Sequence, residues 1–376
     1  MMLGISPVDF PGDSPPGLNV AIASKEFPMK TSLARFGVVS CASLALALVL
    51  SPAWLLAQAS APGKEAPAAK KAAPAKPTAA EQAAQREQFL KRIAEKVDVR
   101  LDVPYAGNDN PRQQLDIYLP KNATSKKPLP VVVFIHGGGW SGGDRKGYMA
   151  PATQLAASGN YAAISVGYRM SSEVKWPNQI YDCKAAIRWI RAHAKELNID
   201  TDRIGATGNS AGGHLVTMLG LTADNKELEG DVGQDTAQSS AIACVVNFCG
   251  PTDMAAPLMQ GEAAKVDDPA VAGLVGGPLK EKADAVKQAS PLTWVSGKAV
   301  PIMTVHGTND LRVNYTNAEK LEAALKKAGA THYLVPVTDA GHGIPIGPEL
   351  AGRIQKFWDL YLRDQKAEIA TTAIAP

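Results

Sequence analysis

Ile204-Gly205-Ala206-Thr207-Gly208-Asn209-Ser210-Ala211-Gly212 decides the fold of this 376-residue chain. A short apolar run, Ile204–Thr207, enters a G-x-S-x-G pentapeptide, and a helix-forming run, Ala211–Thr222, leaves it. A serine between strand and helix sits on a sharp, strained turn that lifts its oxygen above a sheet, and small residues at Gly208 and Gly212 let neighbouring backbone pack closely. The helix that follows aims the unpaired N–H groups of its first turn at the same place. The pentapeptide alone is a weak signal. A glycine-rich strand-to-helix turn, or a phosphate cradle, reads equally well until other residues agree with it.

Working outward, the sequence alternates short apolar runs with amphipathic ones. Alternation in Val97–Val103 and Gln113–Leu119 predicts two antiparallel opening strands. Pro130–Ile135, Tyr161–Val166, Ile204–Thr207, Ile242–Phe248, Pro301–Val305 and His332–Val337 read as further strands. Helical segments are expected at Ala79–Lys96, Ala150–Ala157, Gln179–Leu197, Ala211–Thr222, Thr316–Ala328 and Leu350–Leu362. Apolar strands separated by helices make an α/β fold: a mostly parallel central sheet with helices on both faces, preceded by the antiparallel pair. The irregular stretch Thr252–Val295 falls between the sixth and seventh strands, where long insertions are often lids or binding loops. Its own fold does not follow from the sequence.

Three more loops follow strands and carry reactive groups. His136-Gly137-Gly138-Gly139-Trp140 comes directly after Pro130–Ile135. Consecutive glycines expose backbone N–H groups, which acyl transfer needs where charge builds on a carbonyl oxygen. Gly138 and Gly139, with Ala211 after the serine, are the expected oxyanion donors. His136 is expected to shape this loop, and Trp140 either to line a substrate pocket or to anchor the loop in the core. His306-Gly307-Thr308-Asn309-Asp310 follows Pro301–Val305, and Gly341-His342-Gly343 follows the last strand. A serine needs a base and the base an orienting carboxylate, in chain order Ser, Asp, His on this type of sheet. Ser210 is therefore read as nucleophile, Asp310 as acid and His342 as base. Asp253, after the preceding strand, is the competing acid, and Asp182 reads as a charge at a helix N-terminus. Of the six histidines, His193, His214, His306 and His332 are expected to be structural or surface residues.

The remainder of the chain sets its context. The formal charge of +3 is accounted for by residues 60–78, where Lys64, Lys70, Lys71 and Lys76 outweigh Glu65, so nucleic-acid binding is not expected. That segment of Ala, Pro and Lys reads as a linker. Before it, basic residues, an apolar run over Phe36–Ala59 and a closing Ala57-Gln58-Ala59 have the form of a secretion signal beginning at Met29. Residues 1–59 are thus read as an N-terminal extension and export signal cut after Ala59. An uncleaved membrane tether is the alternative, since about 20 apolar residues can span a bilayer. Residues 79–365 form the expected catalytic domain and 366–376 a tail. Cys183, Cys244 and Cys249 are read as buried small apolar side chains.

From about Val97 to Arg363 the chain resembles the α/β-hydrolase esterases of the hormone-sensitive-lipase and carboxylesterase-like group, especially the acetyl-xylan and feruloyl esterase-like branch. The resemblance rests on Leu115-Asp116-Ile117-Tyr118-Leu119-Pro120, the His136–Trp140 loop, Gly167-Tyr168-Arg169, Ser210-Ala211-Gly212-Gly213-His214, Gly250-Pro251-Thr252-Asp253 and the two later loops, all in the same order. It implies a serine carboxylic-ester hydrolase for short-chain or polysaccharide-linked esters, with no metal and no cofactor. The rival readings are a serine peptidase of the prolyl-oligopeptidase type and a non-catalytic binding protein on the same fold. The chain departs from the family at Asn209, where an acidic residue usually precedes the nucleophile. It also lacks the long N-terminal cap of the lipase-like relatives.

Overall fold

The computed structural model describes residues 78–223, 225–259 and 267–375. The secretion-signal reading of residues 1–59 lies outside them, as does all of the linker reading except Thr78. Among the described residues, no helix is long and apolar enough to cross a membrane.

Eight strands form one sheet: β1 (Val97–Pro104), β2 (Gln114–Pro120), β3 (Leu129–Ile135), β4 (Ala162–Val166), β5 (Ile199–Asn209), β6 (Cys244–Phe248), β7 (Ile302–Gly307) and β8 (His332–Val337). Their order is β1-β2-β4-β3-β5-β6-β7-β8. β1 and β2 pair antiparallel and β2 meets β4 antiparallel, while every later pair is parallel. The opening hairpin and the mostly parallel sheet are as the sequence pattern requires. β3 shows why the parallel strands read as unbroken apolar runs, for all seven of its residues are buried. Val131, Val133 and Ile135 enter the core on one face, Val132 and Phe134 that on the other, so both faces are covered by helices.

On the first face lie α3 (Asn178–Ala192), α5 (Ala211–Leu221) and α8 (Thr316–Lys327); on the second lie α2 (Met149–Ala157) and α9 (Pro348–Arg363). The predicted opening helix is α1 (Ala79–Ile93), started by a capping box in which Thr78 and Glu81 exchange hydrogen bonds. The predicted Gln179–Leu197 helix is divided at His193 into α3 and a single turn, α4 (Ala194–Leu197). The stretch left unassigned from Thr252 to Val295 contains α6 (Pro269–Val275) and α7 (Ala283–Ala289). Asp268 caps α6 by accepting from the Ala270 and Val271 N–H groups, and Val271, Leu274, Val286 and Ala289 join the first core. The insertion is thus anchored by apolar packing beside α5.

Within residues 366–376, read as a tail, the chain packs back onto the domain. Ile374 is buried and bridges Val337 of edge strand β8. Arg353 of α9 donates to the Ala370 and Thr372 carbonyls. One apolar side chain and one arginine fork give this segment enough burial and hydrogen bonding to stay docked, and it covers an otherwise open sheet edge.

Candidate active site

Every loop singled out in the sequence lies beyond the C-terminal end of a parallel strand, the edge where open α/β sheets place their ligands. Ser210 follows β5, the His136–Trp140 loop follows β3, Asp253 follows β6, Asp310 follows β7 and His342 follows β8.

Ser210 has φ 54° and ψ −121°. A non-glycine residue with positive φ costs of order 1–3 kcal/mol and must be held by its surroundings. Here the Ser210 N–H donates to the Phe248 carbonyl at 2.8 Å and the His214 N–H returns to the Ser210 carbonyl at 2.9 Å. Close packing completes the turn: a Cβ on Gly212 would collide with the Ile135 carbonyl oxygen and lie 2.7 Å from that of His136. Only glycine lets α5 begin this close to β3.

The glycine loop is wound tightly. Ser141 and Gly142 N–H groups both donate to the Gly138 carbonyl, and Gly138 itself, at φ 119°, leaves no room for a side chain against Gly142. His136 holds this loop. Its Nδ1 bonds the Gly137 carbonyl at 2.9 Å, and its ring stacks on Tyr168, whose hydroxyl donates to the His136 carbonyl. The N–H groups of Gly138, Gly139 and Ala211 donate to no protein acceptor among the described residues, which leaves them available to a ligand.

Trp140 is seated in the core with 1% of its surface exposed. Its Nε1–H donates to His214 Nδ1 at 3.2 Å, and His214 Nε2 in turn bonds the Ala289 carbonyl at 2.7 Å. Of its two expected roles, the structure shows the anchor. The indole has almost no free surface with which to line a pocket, because its one polar atom is satisfied deep beside α5. His214 thereby ties the glycine loop, α5 and α7 together.

Asp310 and His342 meet: His342 Nδ1 donates to Asp310 Oδ2 at 2.8 Å. The other carboxylate oxygen accepts from the Arg312 and Val313 N–H groups at 2.8 and 3.0 Å. His306 lies on the far side of Oδ2, with its Nε2 3.3 Å away and bonded to the Val313 carbonyl at 2.8 Å. Burial pushes the Asp310 pKa up, but hydrogen bonds from His306, His342 and the Val313 N–H outweigh it and hold the carboxyl below the usual carboxylate range. Asp253 instead pairs with Lys320 at 2.7 Å and makes no bond to His342. The Ser210 hydroxyl also makes no hydrogen bond to His342; such contacts often close only when substrate arrives. Asp182 is not a helix-end charge: it is buried inside α3, where Arg169 and Gln113 bond it.

Sequence reasoning missed three residues around the site. Cys249, at φ 42°, lies beside both the serine turn and His342, and its thiol donates to the His342 carbonyl at 3.5 Å. Burial pushes that thiol up to about 12, so it is neutral. Donor atoms of Cys249, Asp310 and His342 lie within 4.8 Å of one another and could reach a metal, although here the carboxylate and imidazole are engaged with each other. The second missed residue is Tyr148, whose hydroxyl reaches Asn209. The third is His306, expected to be structural at the strand end beside Asp310, whose direct contact with that carboxylate was not anticipated.

Burial pushes His214 and His332 down to about 4, against about 6.5 in an unfolded chain. The unfolded state therefore binds more protons between those values, and stability falls as pH drops from about 6.5 to 4, then levels. The loss should be roughly 3 kcal/mol for each ring. Asp310 acts lower, its stabilisation being lost only as pH falls beneath about 4. Melting curves from pH 7.5 to 4 should show this acid decline, and His214→Gln should flatten it. A melting temperature constant over that range would contradict the burial of these neutral rings.

The sheet order, the strand–serine–helix turn and the loops beyond it define an α/β-hydrolase-fold protein. The chain belongs to the BD-FAE family, whose model matches residues 115–325. It is 30% identical to Esterase LipC of Mycobacterium tuberculosis, over 63% of this chain and 58% of LipC. It thus spans little more than half the length of that curated relative. Among solved structures, a truncated form of a carbohydrate esterase from gut microbiota superposes with a TM-score of 0.65 at 30% identity, covering 71% of this chain and 97% of that one. Thermogutta terrifontis esterase 2, phosphorylated by paraoxon, superposes with a TM-score of 0.52 at 29% identity, covering 70% and 91% respectively.

Proposed function

We propose that this protein hydrolyses carboxylic esters of short acyl chains, including acetyl or feruloyl groups on polysaccharide, through an acyl-enzyme on Ser210. The observation that carries the reading is the Asp310–His342 bond at 2.8 Å, on the same sheet edge as a serine held at positive φ. With Nδ1–H committed to the carboxylate, Nε2 is the unprotonated nitrogen and can act as base. Ser210 Oγ attacks the ester carbonyl carbon while its proton passes to His342 Nε2. The carbonyl oxygen becomes an oxyanion facing the Gly138, Gly139 and Ala211 N–H groups. Collapse breaks the bond to the alcohol, which takes the proton from His342. Water repeats the attack on the acyl-enzyme, releasing the acid and restoring the serine.

The carbohydrate esterase and esterase relatives support the ester class. Export, with cleavage after Ala59, belongs to the same proposal, since polymeric substrate lies outside the cell. The test is a panel of p-nitrophenyl acetate, butyrate and octanoate, methyl ferulate, acetylated xylan and peptide p-nitroanilides, run on protein recovered with its N-terminus sequenced. Turnover of acetyl or feruloyl esters, with the octanoate poor, peptides inert and the N-terminus at Ser60, is expected. Peptide cleavage without ester cleavage would overturn the reading.

A further inference from the structure

Asn209 ends β5 immediately before Ser210. Its Oδ1 accepts two hydrogen bonds from elements distant in sequence: the Gly137 N–H at 3.2 Å and the Tyr148 hydroxyl at 2.8 Å. Gly137 belongs to the glycine loop and is the residue before the uncommitted Gly138 and Gly139 amides. Tyr148 ends the 3₁₀ turn Arg145–Tyr148 that leads into α2, and its ring packs against Phe134 of β3 at 5.2 Å. One side-chain oxygen therefore joins the serine turn, the glycine loop and the start of α2. The two donors also fix which end of the carboxamide faces the loop, since only its oxygen can accept both.

We infer that Asn209 is a positioning residue: with Tyr148 holding its carboxamide in place, it sets the glycine-loop amides at the distance from Ser210 that an oxyanion requires. The inference rests on the ester-hydrolase reading for its kinetic part only. A donor counts in the transition state according to how closely it meets the oxygen's final position, so a loosened loop should cost kcat and leave ground-state binding nearly unchanged.

The test compares N209A, N209D and Y148F with the wild-type chain, each checked for folding by its melting temperature. N209A should lose about tenfold in kcat on p-nitrophenyl acetate, equivalent to about 1.4 kcal/mol, with KM within about twofold. Its affinity for a trifluoromethyl ketone, which presents an oxyanion to the same amides, should fall by the same factor. Y148F should lose about threefold. N209D keeps an acceptor oxygen and should stay closer to wild type than N209A does. Amide hydrogen exchange at Gly137, whose N–H is bonded to Asn209 Oδ1, should quicken about tenfold in N209A, a readout that needs no turnover. Unchanged exchange there, a loss confined to KM, or N209D falling as far as N209A would overturn the role. A wild-type chain that turns over no ester while N209A still quickens exchange would instead remove the ester reading and leave the positioning intact.

Discussion

Ser210→Ala should lower kcat for p-nitrophenyl acetate by about six orders of magnitude, the scale seen when a serine nucleophile is removed from such a set of groups. It should also abolish the mass increase that paraoxon leaves on the protein. The fold should survive. Alanine keeps the Cβ, so the backbone at φ 54° stays as strained as before, and the bonds from Ser210 N–H to Phe248 and from His214 N–H to Ser210 involve no side-chain atom. Ser210→Gly separates chemistry from strain. It is equally inactive, yet it removes the Cβ that disfavours positive φ, and should raise stability by about 1 kcal/mol. Inactive variants with those two melting behaviours identify the serine as nucleophile on a strained turn. Retained hydrolysis or retained phosphorylation in Ser210→Ala would place the chemistry elsewhere.

The strands were legible because buried parallel strands leave unbroken apolar runs such as Pro130–Ile135, and each reactive loop was legible because it directly followed one. His342 and Asp310 could be paired before their contact was seen, since chain order and strand ends place them on one edge. Trp140 shows where this reasoning stopped: an aromatic after a glycine loop has the same signature whether it faces substrate or core, and only the bond to His214 decides. The insertion after β6 was opaque for a related reason. Its helices are short, seven residues each, and are held by contacts to α5 and by caps such as Asp268, so local periodicity carries little of the information. Asn209 was visible as a departure, but its partners Gly137 and Tyr148 are 72 and 61 residues away. The C-terminal segment reads only as a tail, and its docking by Ile374 and by the carbonyls that Arg353 grips depends on contacts that local composition does not encode.

Asp310→Asn is the sharper test of the arrangement, because it changes one atom and leaves the shape. The carboxylate oxygen that accepts His342 Nδ1–H would become, in one orientation, an amide N–H donor. His342 would then present an unprotonated Nδ1 to it and carry its proton on Nε2, where it cannot accept from Ser210. A wrong tautomer of this kind costs about 10⁴ in kcat. His306 makes the outcome more certain here. Its Nε2 also faces Oδ2 at 3.3 Å, and the Arg312 and Val313 N–H groups occupy Oδ1, so the side chain is surrounded by donors suited to a charged acceptor. An amide must turn one of its own N–H groups towards a donor, whichever way it is placed, and the buried site cannot supply water to relieve that conflict. Asp253→Asn is the matched control. It weakens only the partly exposed pair with Lys320, worth about 1 kcal/mol or less, and should leave kcat within about twofold. Loss of about four orders of magnitude in the first variant and none in the second assigns the acid to Asp310; the opposite pattern would transfer that role to Asp253 and require the base to reorient from the position it holds against Asp310.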